Sequence, residues 1–268
     1  VSEAFQAALD ARYGTVTVAL RERLLTLLGE LFGQRGSFRD ADADVFVEQA
    51  LPIVVGAQQQ MGALTDAYLS AMLGDMFGGA TAPRGVELAE SLRGTPPADV
   101  YRRPFVTVWT ALAAGKDMTQ AVREGEQRLT SIAGTDLQLA RTHATRQVLS
   151  RDGRVQFYRR VLRGSYNCAL CVIASTQRYR KERLMPIHPG CDCNTRPIPG
   201  DRDPGQVIDP ELLEAAHDAV AAGVGKADRG GRAPQYRDVI IERQHGELGP
   251  LMALRRQNFT GPRDIPGR

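Results

Sequence analysis

Between Asp117 and Asp152 the chain reads DMTQAVREGEQRLTSIAGTDLQLARTHATRQVLSRD, and this stretch decides the fold class. Met118, Val122, Gly125, Leu129 and Ile132 recur at four- and three-residue steps, and Leu137, Ala140, Ala144 and Val148 carry the stripe onward. Such spacing lines one face of a helix with 3.6 residues per turn. Asp117 followed by Gln120 resembles a capping box, in which a side-chain oxygen accepts from first-turn amides. Gly134-Thr135-Asp136-Leu137-Gln138 repeats the capping signal and allows a break and restart there. At Gly153 the period changes. Val155, Phe157, Arg159 and Val161 alternate as a strand rich in arginine. A long helix that runs straight into a strand predicts a mainly α protein with a small α+β module on its C-terminal side.

Upstream of this stretch the pattern stays helical. Leu20, Leu24, Leu27, Leu28 and Leu31 mark one amphipathic helix, ended by Gly33, Gly36 and Ser37. Val54, Ala57, Met61, Leu64, Tyr68 and Met72 mark a second, which Pro52 places near its own start, because an interior proline removes a backbone hydrogen bond. A shorter helical piece is expected at Val86–Leu92, stopped by Gly94 and Pro96-Pro97. Downstream come a turn at Cys168/Cys171, a polar stretch through Arg178-Tyr179-Arg180, a turn-rich segment from Pro186 to Pro204 and a helix at Pro210–Gly223. Beyond Gly223 the chain is rich in Gly, Pro and Arg, and only Val239-Ile240-Ile241 and Leu248–Leu254 offer apolar anchors; this reads as an extended, partner-dependent tail. The expected organisation is a helical region at 1–115, a long helix plus a Cys/His-stapled strand-and-loop module at 116–204, and a short helix with its extended tail at 205–268.

The length of 268 residues fits one large or two modest domains, and 43% hydrophobic with 24% charged residues is ordinary for a globular chain. With one tryptophan, Trp109, the core is expected to be Leu, Val, Ala and Ile. No apolar run is long enough to span a membrane. The first residues lack the basic flank and apolar stretch of an export signal, so a reducing compartment is expected, where clustered cysteines favour metal over disulfide.

All four cysteines fall inside Cys168-Ala-Leu-Cys171 … His188-Pro-Gly-Cys191-Asp-Cys193, a C-x2-C-x16-H-x2-C-x-C pattern. Structural zinc takes four thiolate or imidazole ligands in a tetrahedron, and C-x2-C is a common way to aim two of them at one point. Cys168, Cys171, His188, Cys191 and Cys193 are thus five candidates for four places. A structural zinc would contribute roughly 10 kcal/mol or more to a module with little apolar content of its own. Disulfides between the two halves, or reduced cysteines with a packing role, are the alternatives. No H-x-E precedes the cysteines, as a zinc deaminase requires, and H-E-x-x-H, G-x-S-x-G, P-loop and G-x-G-x-x-G motifs are missing. His143, His217 and His245 read as surface residues. A Cys/His peptidase built from Cys168 or Cys191 with His143 is a competing arrangement, and no catalytic residue is assigned.

From Arg141 to Arg183 eleven basic residues face two acids, Asp152 and Glu182. Such a stretch repels itself without an anionic partner. Arg146, Arg154, Arg159, Arg160, Arg163, Arg178, Arg180 and Lys181 are the candidate anion or DNA contacts. Only Phe157, Tyr158, Tyr166 and Tyr179 are available for stacking, which favours sequence-independent backbone contact.

The order of these features resembles the phage Mu F-like head morphogenesis (minor capsid) family, in the form found in tailed phages of actinobacteria. Leu139-Ala-Arg141-Thr142-His143-Ala-Thr-Arg146 is similar to the family's R-T-E helix, and Val155–Leu162 to its first strand. Cys168-x2-Cys171, Ser175-Thr176-Gln177-Arg178-Tyr179 and Pro186-Ile-His188-Pro-Gly-Cys191-Asp192-Cys193 resemble its C-x2-C … P-x-H-x2-C-x-C signature. The likeness covers residues 130–200. His143 stands where the family has Glu, and Asp192 where it has a basic residue. The resemblance implies a low-copy virion protein of the capsid interior, assembled in the host cytoplasm, that associates with the portal. Contact with major capsid or scaffold protein and non-specific contact with packaged DNA are further expectations. A capsid maturation protease and a zinc-stabilised nucleic-acid-binding protein are the alternatives.

Overall fold

The computed structural model describes residues 3–79, 81–89, 91–163, 169–187, 191, 193–223 and 240–254. The chain is mainly helical, with a few antiparallel strands in its C-terminal part. Four long helices come first: α1 (Glu3–Gly33), α2 (Asp40–Phe77), α3 (Pro97–Ala113) and α4 (Met118–Ser150). Leu24, Leu28 and Phe32 of α1, Phe46, Ala50 and Val54 of α2, Phe105 and Val108 of α3, and Leu129 and Ile132 of α4 share one core. At its centre Phe32 meets Phe38, Phe46 and Phe105 edge-on, at centroid distances of 5.1, 5.7 and 5.0 Å, the preferred geometry for aromatic pairs.

The helix in the opening stretch forms as its spacing predicts, with the Asp117 carboxylate accepting from the Gln120 amide at 2.8 Å. It does not break at Gly134. Asp136 is no cap: its carboxylate is buried and accepts from Arg93 at 2.6 Å and from the Tyr101 hydroxyl at 2.8 Å. Two other boundaries differ from the expectation. α2 begins at Asp40, so Pro52 lies well inside it. Pro52 sits on the exposed face, where water can take the carbonyl it frees, while Ala50 and Val54 beside it hold the helix to the core. Residues 86–89 form no helix; Val86 and Leu88 lie against Gly62 of α2, and the Glu87 amide donates to Gln147 at 3.0 Å. The missing helix is α3, which starts at the Pro96-Pro97 pair read as a stop. A helix's first turn needs no intrahelical N–H, so proline is at home there.

After α4 come β1 (Val155–Val161), α5 (Ala169–Ser175), β2 (Arg178–Arg180) and β3 (Asn194–Pro199). The three strands form an antiparallel sheet in the order β2-β1-β3, with Tyr158 opposite Tyr179 and Pro197. Val155 and Tyr158 are fully buried against Tyr68, Leu69 and Met72 of α2 and Val148 and Leu149 of α4. α4 therefore serves both the helical core and the sheet. α6 (Pro210–Gly223) forms where expected. In the segment read as an extended tail, β4 (Ile240–His245) and β5 (Gly249–Leu254) make a hairpin, while 224–239 and 255–268 lie outside the described residues. Its tip reaches the helices: Glu247 pairs with Arg93 at 2.8 Å and Arg103 at 2.6 Å, and Leu248 packs on the helical core. Its second strand reaches the loop before the second cysteine pair, with the Met252 amide donating to the Pro186 carbonyl at 3.0 Å.

Candidate metal centre

The two halves of the cysteine pattern converge. Cys171 lies on α5, a short helix where a turn was expected, and Cys191 and Cys193 lie on the approach to β3. The Cys171 and Cys191 sulfurs are 3.2 Å apart and those of Cys191 and Cys193 3.1 Å, and all three lie within 4.8 Å of one another. All three cysteines are buried. Their separations exceed a disulfide bond of about 2.05 Å. They lie closer to the roughly 3.8 Å edge expected for thiolates sharing one tetrahedral ion at Zn–S distances of 2.3 Å. Three buried cysteines are thus close enough to hold a metal ion. Cys168 and His188, the other two candidates, lie outside the described residues.

Leu170, Ala174, Met185, Ile187 and Met252 enclose the sulfurs in apolar surface. Two arginines enter this shell. Arg160 of β1 is buried; its Nη1 points at Cys193 Sγ at 3.5 Å and its Nη2 donates to the Met185 carbonyl. Arg141 of α4 donates to the Cys191 carbonyl at 2.8 Å. Hydrogen bonds from Cys171 and Cys191 hold the Cys193 thiol well below its ordinary range, with Arg160 and Arg141 adding to them against the opposing effect of burial. Cys191 moves the other way: the Cys171 hydrogen bond lowers it, but Cys193 and burial outweigh that and push it up. Of the two shifted thiols, Cys193 is the one moved toward the thiolate, the form that metals bind.

The remaining basic candidates do not gather at one point. Arg146 donates to the Leu184 carbonyl at 2.7 Å, Arg163 to the Asp10 carbonyl at 2.6 Å, and Lys181 to the carbonyls of Leu149 and Asp152 at 3.2 and 2.9 Å. Arg154 pairs with Asp152 at 2.6 Å and lies 4.0 Å over the Phe77 ring. Arg178 pairs with Asp203 and lies 3.8 Å over Phe157, with Arg180 5.9 Å from the same ring. Arg159 stands opposite both Arg178 and Arg196 across the sheet. Arg160, expected among the anion contacts, is instead buried against the cysteines, because it shares the inward face of β1 with Tyr158.

The histidines differ from the surface reading. His143 is half-buried on α4, and burial, then Arg146, push its pKa down. His245 caps the hairpin tip, its Nδ1 accepting from the amides of Glu247 and Leu248, both at 3.2 Å. The side chain of His217 lies outside the described residues. The spacing of the cysteines gave no hint of Arg141 or Arg160, nor of the Asp10–Arg196 pair with its Tyr68 hydrogen bond of 2.5 Å, which ties α1 to β3. The alternation read from Val155, Phe157, Arg159 and Val161 pointed the other way: a register shift between Val155 and Phe157 turns Tyr158 and Arg160 inward in place of Phe157 and Arg159.

Fold and site together define a mainly helical protein with a buried three-cysteine centre at the root of a small antiparallel sheet. Compared with family models, with curated proteins and with solved structures, the chain finds no match in any of the three.

Proposed function

We propose that the chain is a minor capsid, or head morphogenesis, protein of the Mu F-like kind, with a structural zinc ion at its cysteine centre. The observation that carries the reading is the meeting of all three parts of the resemblance at one place. Arg141 of the R-T helix donates to Cys191, Arg160 of the first strand lies against Cys193, and the two halves of the cysteine signature face each other. The donor set suits zinc: soft sulfurs, buried and within 4.8 Å of one another, with Cys168 or His188 as the sequence-adjacent fourth ligand. On this reading the zinc is a staple. It ties the end of α5 to the start of β3 and holds the sheet on α2 and α4.

In this role the protein joins the portal during assembly and stays inside the capsid, with the outer arginines of the sheet toward packaged DNA. Arg159, Arg178 and Arg180 around Phe157 are the best placed for that contact. The protease alternative has less behind it, since the described cysteines are walled off by apolar side chains, and burial is the mark of a structural rather than a reactive thiol. The test is co-expression with the portal and major capsid proteins of the same phage. Co-purification with the portal and incorporation into procapsids are expected, and major-capsid cleavage is expected to be unaffected by Cys191→Ser. Particles that assemble normally without this chain in them, or cleavage that stops with Cys191→Ser in a folded protein, would overturn the reading.

A further inference from the structure

The basic strand β1 hides one charge that its surface neighbours do not explain. Arg160 is 5% exposed, and among the described residues no carboxylate touches it. Its polar contacts are Cys193 Sγ, the Met185 carbonyl and the Tyr158 hydroxyl, and its Nε has no hydrogen-bond partner. A guanidinium does not give up its proton inside a protein. A full positive charge is therefore fixed in the interior, where an unpaired ion is strongly disfavoured. Burial pushes the Tyr158 phenol up, away from ionisation, so the cysteines are the groups in contact with Arg160 left to carry the balancing negative charge, and neutral thiols do not supply it.

The geometry points to Arg160 as the built-in counter-cation of the metal centre, a positioning residue that sets the centre's charge. This rests on the metal reading above. A divalent ion held by three thiolates and a neutral imidazole bears one net negative charge, which Arg160 alone balances. Held by four thiolates it bears two, and Arg141, reaching the same loop through the Cys191 carbonyl, supplies the second. Either way the loaded centre is an anion inserted beside a waiting cation. The arrangement favours thiolate-rich binding of a soft divalent metal and disfavours an empty, fully protonated site. It also tells why a basic strand turns one arginine inward: the strand contributes half of an ion pair whose other half arrives with the metal.

The test compares zinc affinity, by chelator competition, and the sulfur-to-cobalt charge-transfer band of the cobalt(II) form in the full-length wild type, Arg160→Met and Arg160→Lys. Methionine keeps the length and apolar contacts and removes the charge; lysine keeps the charge. Outer-shell partners of metal ligands typically contribute about ten- to a hundredfold in affinity, and a loss of that order is expected for Arg160→Met, with Arg160→Lys closer to wild type. Equal zinc affinity in wild type and Arg160→Met would overturn the inference while leaving the metal reading intact. A wild type that takes up neither zinc nor cobalt overturns the metal reading itself, and the inference with it. Should Arg160→Met fail to fold, the same substitution is made in a chain with Cys171, Cys191 and Cys193 all changed to Ala. There the cation has lost its counter-charge, so Arg160→Met is expected to raise the thermal midpoint. A drop in midpoint there would mean that Arg160 only fills space.

Discussion

Asp136 shows how a single polar residue organises the helical region. It falls on the buried face of α4, where its carboxylate joins Arg93, itself bound to the Ile132 carbonyl at 3.0 Å, and the hydroxyl of Tyr101. The side chains of Arg93 and Asp136 are 9% and 5% exposed, so solvent does little to screen this pair. Removing Asp136 leaves the Tyr101 hydroxyl without its acceptor and Arg93 with Glu247 as its remaining carboxylate. Asp136→Ala is therefore expected to destabilise the protein by about 3 kcal/mol, the lower end of what breaking a buried pair costs, read from denaturant unfolding. A loss below about 1 kcal/mol, the value of a surface pair, would contradict the assignment. Gly125 makes a second prediction at this scale. A methyl group there would come within 2.7 Å of Val108 Cγ2 and 2.8 Å of Phe32 Cζ, where α4 approaches α3 and α1. Gly125→Ala is expected to cost about 1–3 kcal/mol through overpacking, despite alanine's better helix propensity. Unchanged or increased stability would show that the helices part easily there.

Among the elements, the hairpin β4–β5 carries the clearest condition dependence. A two-stranded hairpin is marginal alone, so its order depends on Glu247, Leu248 and Met252 gripping the rest of the molecule. Burial lowers the pKa of His245 from 6.5, so folding favours the neutral ring that accepts the tip amides. For Glu247 burial acts to raise the pKa, but Arg103 and Arg93 outweigh it and hold it below 4.5. Both folded-state values lie below the unfolded ones. The stabilisation is thus complete above about pH 6.5 and is lost as pH falls, first through His245 and then through Glu247. Amide hydrogen exchange across residues 240–254, corrected for intrinsic rates, is expected to quicken on going from pH 7.5 to 5 and again toward pH 4. Unchanged protection at pH 4 in an otherwise folded protein would contradict the docking scheme.

The same elements show what a one-dimensional reading reaches. α4 was legible because its period is long and regular and Asp117 marks a start; β1 was legible as a strand, but a register shift after Val155 reversed the face expected to turn inward. α3 was missed because Pro96-Pro97 ends a pattern as readily as it begins one, and Pro104 lies inside the helix itself. The start of α2 was misplaced by Pro52, whose cost depends on which side faces water, something only packing decides. The hairpin was hidden because its two apolar anchors are short and set in a Gly-, Pro- and Arg-rich segment, and its hold on the molecule comes from a handful of residues meeting partners far away in the chain.

For the whole molecule, the cysteine centre lies where three parts of the fold meet. α5 brings Cys171, the approach to β3 brings Cys191 and Cys193, and β5 covers them with Met252. The clustering of cysteines in the sequence announced the centre. The arginines that complete it were not announced, because nothing in a basic stretch says which charge turns inward until the sheet's faces are known. If a metal staples this junction, stripping it loosens the sheet and the hairpin together while the four-helix core keeps its own packing. The most direct measurement is native mass spectrometry of the full chain, purified without chelator, alongside Cys171→Ser and Cys193→Ser. One zinc ion per wild-type chain is expected, lost or greatly reduced in both variants. A wild-type mass matching the metal-free chain, with its thiols either all reduced or paired as disulfides, would contradict the metal centre.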